Sequence, residues 1–300
     1  MTRQKTMLLL GVIVLAGCAS TMTIHPPNDD RLLFTEVEGA GARTIVFLPG
    51  LLGTTSYWKA GDLGMLADGN RLLFVDLLGF GQSPWPSIPY TLDVHLDWLR
   101  RTLVAHGATE DVVLVAHSFG AVVAAYYAER YPNDVGELVL FGAPVYGSED
   151  EARARVGRMS ALAGLLVNNR PVARIVCAIH NVTIPIARRL APGLRRDLPP
   201  AVARDATLHH WPSLDGSVRN VILTRPMSIA LRGAKARVTF VYGRQDDVSD
   251  PGSVRVLASE VGGTIVETDD EHGSYWKNAG TILEHLLSHE KASKTVKENP

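Results

Sequence analysis

Short runs of apolar, β-branched residues alternate with helically spaced segments along most of this chain, and that alternation restricts its fold more than any other feature. A strand that is apolar on both faces must be covered on both. A mostly parallel, doubly wound α/β sheet with helices on either side does this. Strands are expected over residues 32–37, 44–48, 72–75, 112–116, 137–141, 238–242 and 264–267. The clearest helix covers residues 91–105, where Leu92, Leu96, Leu99 and Leu103 share one face while Asp93, Asp97, Arg100 and Arg101 take the other. His95 and His106, on or near this helix, read as surface residues, as do His285 and His289 in the last helix.

The alternation stops between the strand ending at Phe141 and the one starting near Val238, a gap far longer than an ordinary connection. An insertion rich in Ala, Leu and Arg, punctuated by Pro171, Pro185, Pro192, Pro199, Pro200 and Pro212, fills it and predicts several short helices. The expected organisation is therefore a core of residues 31–146 and 233–290, a helical cap of residues 147–232 and a frayed polar tail at 291–300. With 30 Lys and Arg against 31 Asp and Glu the chain is nearly neutral, and it has no dense basic stripe to bind nucleic acid. Its two cysteines, Cys18 and Cys177, lie in unrelated contexts, which supports neither a disulfide framework nor a zinc site. Cys177, within an apolar run, reads as a small buried hydrophobe.

Arg3 and Lys5 precede an apolar stretch at residues 7–16 that is too short to span a membrane, the order of a secretory signal peptide. It ends in Leu15-Ala16-Gly17-Cys18, which resembles the bacterial lipobox. That resemblance implies cleavage after residue 17, acylation of Cys18 and a lipid-anchored protein of the cell envelope. Residues 18–30 then read as a tether. Ala19 carries no acidic inner-membrane retention signal, which favours the outer membrane, facing the periplasm.

The chemistry centres on Val112-Val113-Leu114-Val115-Ala116-His117-Ser118-Phe119-Gly120-Ala121, a buried strand running through a serine and a glycine into a helix. Such a turn holds a serine hydroxyl at the strand's end, and small flanking residues let strand and helix pack closely. Here the sequence resembles the α/β-hydrolase superfamily over nearly all of its mature length. It differs from the G-x-S-x-G pattern in having Ala116 first. The resemblance implies an α/β-hydrolase fold, Ser118 as nucleophile, and an acid and then a histidine on loops after later strands. Asp246, three residues after Gly243, matches the acid, with Asp247 and Asp250 as rivals. His272, just ahead of the final helix, matches the base. Asp269, Asp270 and Glu271 would favour its protonated form if they face the ring. His117 is expected to point away from this group.

Acyl transfer also needs two donors for a developing oxyanion, which the resemblance places at the backbone N–H groups of Phe119 and Leu51. Asp76-Leu77-Leu78-Gly79-Phe80-Gly81-Gln82-Ser83 matches a family segment and is expected to shape the site wall. The reading is a serine carboxylesterase or lipase acting on a small-molecule ester or acyl substrate, with no cofactor and no metal. Ser118 disfavours relatives that use an Asp nucleophile. Amidase, carbon–carbon hydrolase, acyltransferase and an inactive envelope binding protein remain as alternatives.

Overall fold

A computed structural model describes residues 30–298 except 160. The predicted signal peptide, Cys18 and all of the tether but its last residue lie outside the described residues. Seven strands form one sheet: β1 (Thr35–Glu38), β2 (Arg43–Leu48), β3 (Asn70–Val75), β4 (Val112–His117), β5 (Val135–Phe141), β6 (Arg237–Gly243) and β7 (Thr264–Thr268). Their order is β1-β3-β2-β4-β5-β6-β7, with only β1 antiparallel to its neighbour. The chain is an α/β-hydrolase fold, and each predicted strand is present.

The described helices are α1 (Thr55–Lys59), α2 (Gly64–Ala67), α3 (Leu92–Ala105), α4 (Phe119–Arg130), α5 (Glu149–Met159), α6 (Ala161–Asn168), α7 (Arg170–Leu194), α8 (Pro200–Asp205), α9 (Trp211–Ser217), α10 (Met227–Gly233), α11 (Pro251–Val261) and α12 (Ala279–Glu298). Helix α3 begins where its cap residue dictates, the Thr91 hydroxyl accepting the Val94 N–H. Every residue of β4 is buried, so the strand packs an apolar cluster on each face of the sheet. One cluster lies under α3, α4 and α11, and the other under α1, α2 and α12.

Chain order reverses across the sheet between β2 and β4: from β2 the chain steps outward to β3, then returns to the other side of β2. Loops leaving β2 and β4 consequently part in opposite directions and leave a crevice beyond the strand ends. Leu48 pairs with Ala116 there, bringing Pro49-Gly50-Leu51 beside Ser118.

Three expectations need correction. The insertion is not a series of short helices throughout, because α7 continues for 25 residues through Pro185 and Pro192. Each proline removes one backbone donor, yet packing against α6 and α8 sustains the helix. Residues 291–298, expected as a polar tail, belong to α12, as their Lys, Ala and Glu content permits. His95 is buried, not on the surface: it lies on the apolar face of α3 at i+3 from Leu92 and meets the Ser217 hydroxyl at 3.1 Å.

Candidate active site

Ser118 ends β4 and precedes α4 with φ of 49°, in the left-handed region that non-glycine residues rarely enter. The strain is held by packing on both sides, and it turns the hydroxyl out of the strand toward the crevice. Two glycines make the turn possible. A Cβ on Gly120 would sit 2.4 Å from the Pro49 carbonyl oxygen, and one on Gly50 would sit 3.2 Å from the Ser118 Cβ. The loop after β2 therefore lies directly against the start of α4.

The loops after β6 and β7 complete the group. Asp246 accepts from the His272 ring at 2.9 Å and 3.1 Å, and the ring's other nitrogen lies 2.9 Å from the Ser118 hydroxyl. A carboxylate only accepts, so Nδ1 of His272 carries a hydrogen and Nε2 offers its lone pair to Ser118. This hydrogen-bonded chain can draw a proton from the hydroxyl as its oxygen attacks an electrophile.

Asp246 is held as an anion. Burial alone would raise its pKa. The hydrogen bond and charge of His272, the Ser249 N–H and the Tyr275 hydroxyl outweigh burial and keep it well below the ordinary carboxylate range. The Val248 and Ser249 N–H groups reach one oxygen at 2.8 Å and 3.0 Å, and the Tyr275 hydroxyl reaches the other at 2.7 Å. The rivals for its place are accounted for: Asp247 is exposed, and Asp250 caps α11 while pairing with Arg155. The acidic cluster before His272 turns away from the ring, Asp269 pairing with Arg244 and Asp270 accepting from Asn278.

Among the described residues no hydrogen-bond partner occupies the backbone N–H of Phe119 or of Leu51. Phe119 opens α4, where the first N–H groups have no partner within the helix and the dipole favours negative charge. The Asp76 segment proves to be scaffolding for this wall. Its carboxylate accepts the Thr55 and Gln82 N–H groups, and the Ser83 hydroxyl donates to the Asp76 carbonyl.

His117 does not point away from the group. It packs against the His272 ring with centroids 4.9 Å apart, stacks on Tyr57 at 4.8 Å and donates from Nε2 to the His272 carbonyl at 2.8 Å. Strand alternation puts it opposite Ala116, and the loop carrying His272 folds onto that face. Its Nδ1 is buried without a partner, and burial pushes the imidazole pKa down to about 3, so the ring stays neutral.

Tyr275 escaped the sequence reading, since nothing but a tyrosine three residues beyond His272 marks it. Its oxygen accepts the Gly243 N–H at 2.8 Å while its hydrogen goes to Asp246, tying the β6 loop to the β7 loop. Tyr275→Phe is expected to lower turnover roughly tenfold and to cost about 1–3 kcal/mol in urea unfolding, because a buried N–H loses its acceptor. Unchanged stability and turnover would show that Asp246 needs no such support.

A family model described as alpha/beta hydrolase fold matches residues 43–279. Among curated proteins, the chain is 29% identical over 189 residues to "Probable lysophospholipase BODYGUARD 4" of Arabidopsis thaliana, covering 55% of this chain and 45% of that protein. It is 40% identical over 86 residues to "Lipase LipV" of Mycobacterium tuberculosis, covering 29% of this chain and 32% of that one. The chain thus spans less than half the length of these curated relatives. Among solved structures, E-2-(Acetamidomethylene)succinate Hydrolase superposes with a TM-score of 0.66 at 17% identity, covering 85% of this chain and 94% of that one. At that identity the likeness is one of fold.

Proposed function

This chain belongs to the alpha/beta hydrolase fold family, and on that premise we propose that it is a serine hydrolase cleaving carboxylic esters through a covalent acyl-enzyme. The observation that carries the reading is the unbroken hydrogen-bonded chain from Ser118 through His272 to Asp246. In the first half-reaction the Ser118 oxygen bonds to the ester carbonyl carbon while His272 Nε2 takes the hydroxyl proton. Negative charge gathers on the former carbonyl oxygen, where the N–H groups of Phe119 and Leu51 would receive it. The carbon–oxygen bond to the alcohol then breaks, and that proton leaves with the alcohol. Water repeats the sequence and releases the acid. The relatives named lipase and lysophospholipase support an acyl ester as substrate.

An active-site-directed fluorophosphonate tests the assignment. Labelling is expected on Ser118 alone, located by peptide mass spectrometry, with loss of hydrolysis across a panel of nitrophenyl esters of varied acyl length. An unlabelled, folded protein that hydrolyses none of them would favour the binding-protein reading.

For placement, we propose that Cys18 carries a diacylglyceryl group and anchors the enzyme to the outer membrane, facing the periplasm. The support is the charged start, the short apolar run and the Leu15-Ala16-Gly17-Cys18 sequence. Two or more acyl chains give stable anchoring where one does not. The mature protein should fractionate with membranes, and its N-terminal peptide should begin at a lipid-modified Cys18. Intact-mass measurement showing an unmodified start elsewhere would refute this and leave the hydrolase reading standing.

A further inference from the structure

Helix α7 presents an apolar surface that no part of the described chain covers. Val172, Ile175, Val176, Ile179, Val182, Ile186, Leu190 and Leu194 are each 40–78% exposed, eight large apolar side chains on one helix. At 100° per residue they fall on a single stripe, about 33 Å long from end to end. The helix already spends a different face on the protein: Ala173, Cys177 and Ala191 are buried, and the first two join an apolar cluster that includes Leu51 and Leu52. The outer stripe therefore is not needed for folding, and a patch of this extent on a water-soluble surface marks a contact.

Charge indicates what the contact is. Helix α7 holds Arg170, Arg174, Arg188 and Arg189 and not one Asp or Glu, and Arg195 and Arg196 follow it. Arg170 and Arg188 are paired with Asp215 and Asp205, whereas Arg174 and Arg189 are exposed and meet no counter-ion among the described residues. A second copy of the chain docked on the stripe about a two-fold axis would set one basic helix against another. An anionic lipid surface satisfies both features at once, taking the apolar stripe among its acyl chains while Arg189, about 80° round the helix from the stripe's centre, reaches its headgroups. No described helix is long and apolar enough to cross a membrane, so α7 would lie in the surface plane.

We infer that α7 is a docking helix for an anionic membrane surface. Because its inner face shares a cluster with Leu51 and Leu52, docking sets that wall of the site at the lipid boundary. The inference does not depend on the hydrolase reading: its readout is binding, and the test is run on Ser118→Ala protein so that the ester bonds of the phospholipids stay intact.

The full chain is mixed with phosphatidylcholine vesicles, with or without phosphatidylglycerol, and hydrogen exchange is followed over residues 172–194. That local readout separates α7 from any attachment through the N-terminus. Anionic vesicles should slow exchange there roughly tenfold or more, and neutral vesicles much less. The double variant Ile179→Glu, Ile186→Glu should lose the protection. Both sites are exposed, and near-ultraviolet circular dichroism checks that the fold is kept. The variant Arg189→Gln should weaken binding to anionic vesicles by roughly fivefold. Exchange unaffected by vesicles would overturn the inference. So would protection retained in the glutamate variant, or sedimentation showing that self-association covers the helix without lipid.

Discussion

Replacing Ser118 by Ala, or His272 by Ala, is expected to lower kcat for ester hydrolysis by roughly ten-thousandfold to a millionfold while the protein stays folded. The two losses should not add. Once the hydroxyl is gone the imidazole has no proton to take, and once the imidazole is gone the hydroxyl remains a poor nucleophile. The double variant is therefore expected to be about as slow as either single one. Single-turnover rates on one nitrophenyl ester decide it: a Ser118→Ala enzyme within tenfold of wild type would remove Ser118 from the chemistry, and a double variant slowed by the product of the two losses would show that Ser118 and His272 do not act as one unit.

Asp246→Asn should cost roughly a thousandfold in kcat, because an amide can donate to Nδ1 and so admit the tautomer in which Nε2 carries the hydrogen. Asp247 is exposed and cannot take over from its observed position. The same variant has a signature in stability. The folded-state pKa of Asp246 lies below its unfolded value of about 3.9, so the unfolded chain binds the proton first as pH falls. Its contribution is complete above about pH 4 and disappears as pH drops toward the folded value. Wild-type stability should thus fall with decreasing pH in that window more steeply than that of Asp246→Asn, by at most about 1.4 kcal/mol per pH unit. Parallel urea-unfolding curves from pH 5 down to pH 2 would contradict the anionic assignment.

The seven strands, the insertion and the segments that carry Ser118, Asp246 and His272 could all be placed from the linear chain, and the reason is local. Strand and helix periodicities repeat over a few residues, and the strand-serine-glycine-helix turn announces itself within ten. Position within α3 could also have shown His95 to be buried, since i+3 from Leu92 lies on the apolar face.

Pairings across loops were not readable. The choice of Asp246 over Asp247, the support from Tyr275 and the packing of His117 against His272 join residues 26 to 155 positions apart. They exist only because the parallel sheet brings the ends of β4, β6 and β7 to one edge. Sequence spacing alone carries no record of such a distance. The outer stripe of α7 shows the same division. Its apolar residues and arginines are plain in the sequence, where they read as one cap helix among several. That they face outward became decidable only once Ala173, Cys177 and Ala191 were seen to occupy the contact with the rest of the chain. A residue's type is a property of the chain, but which face of a helix is left uncovered depends on everything packed around it.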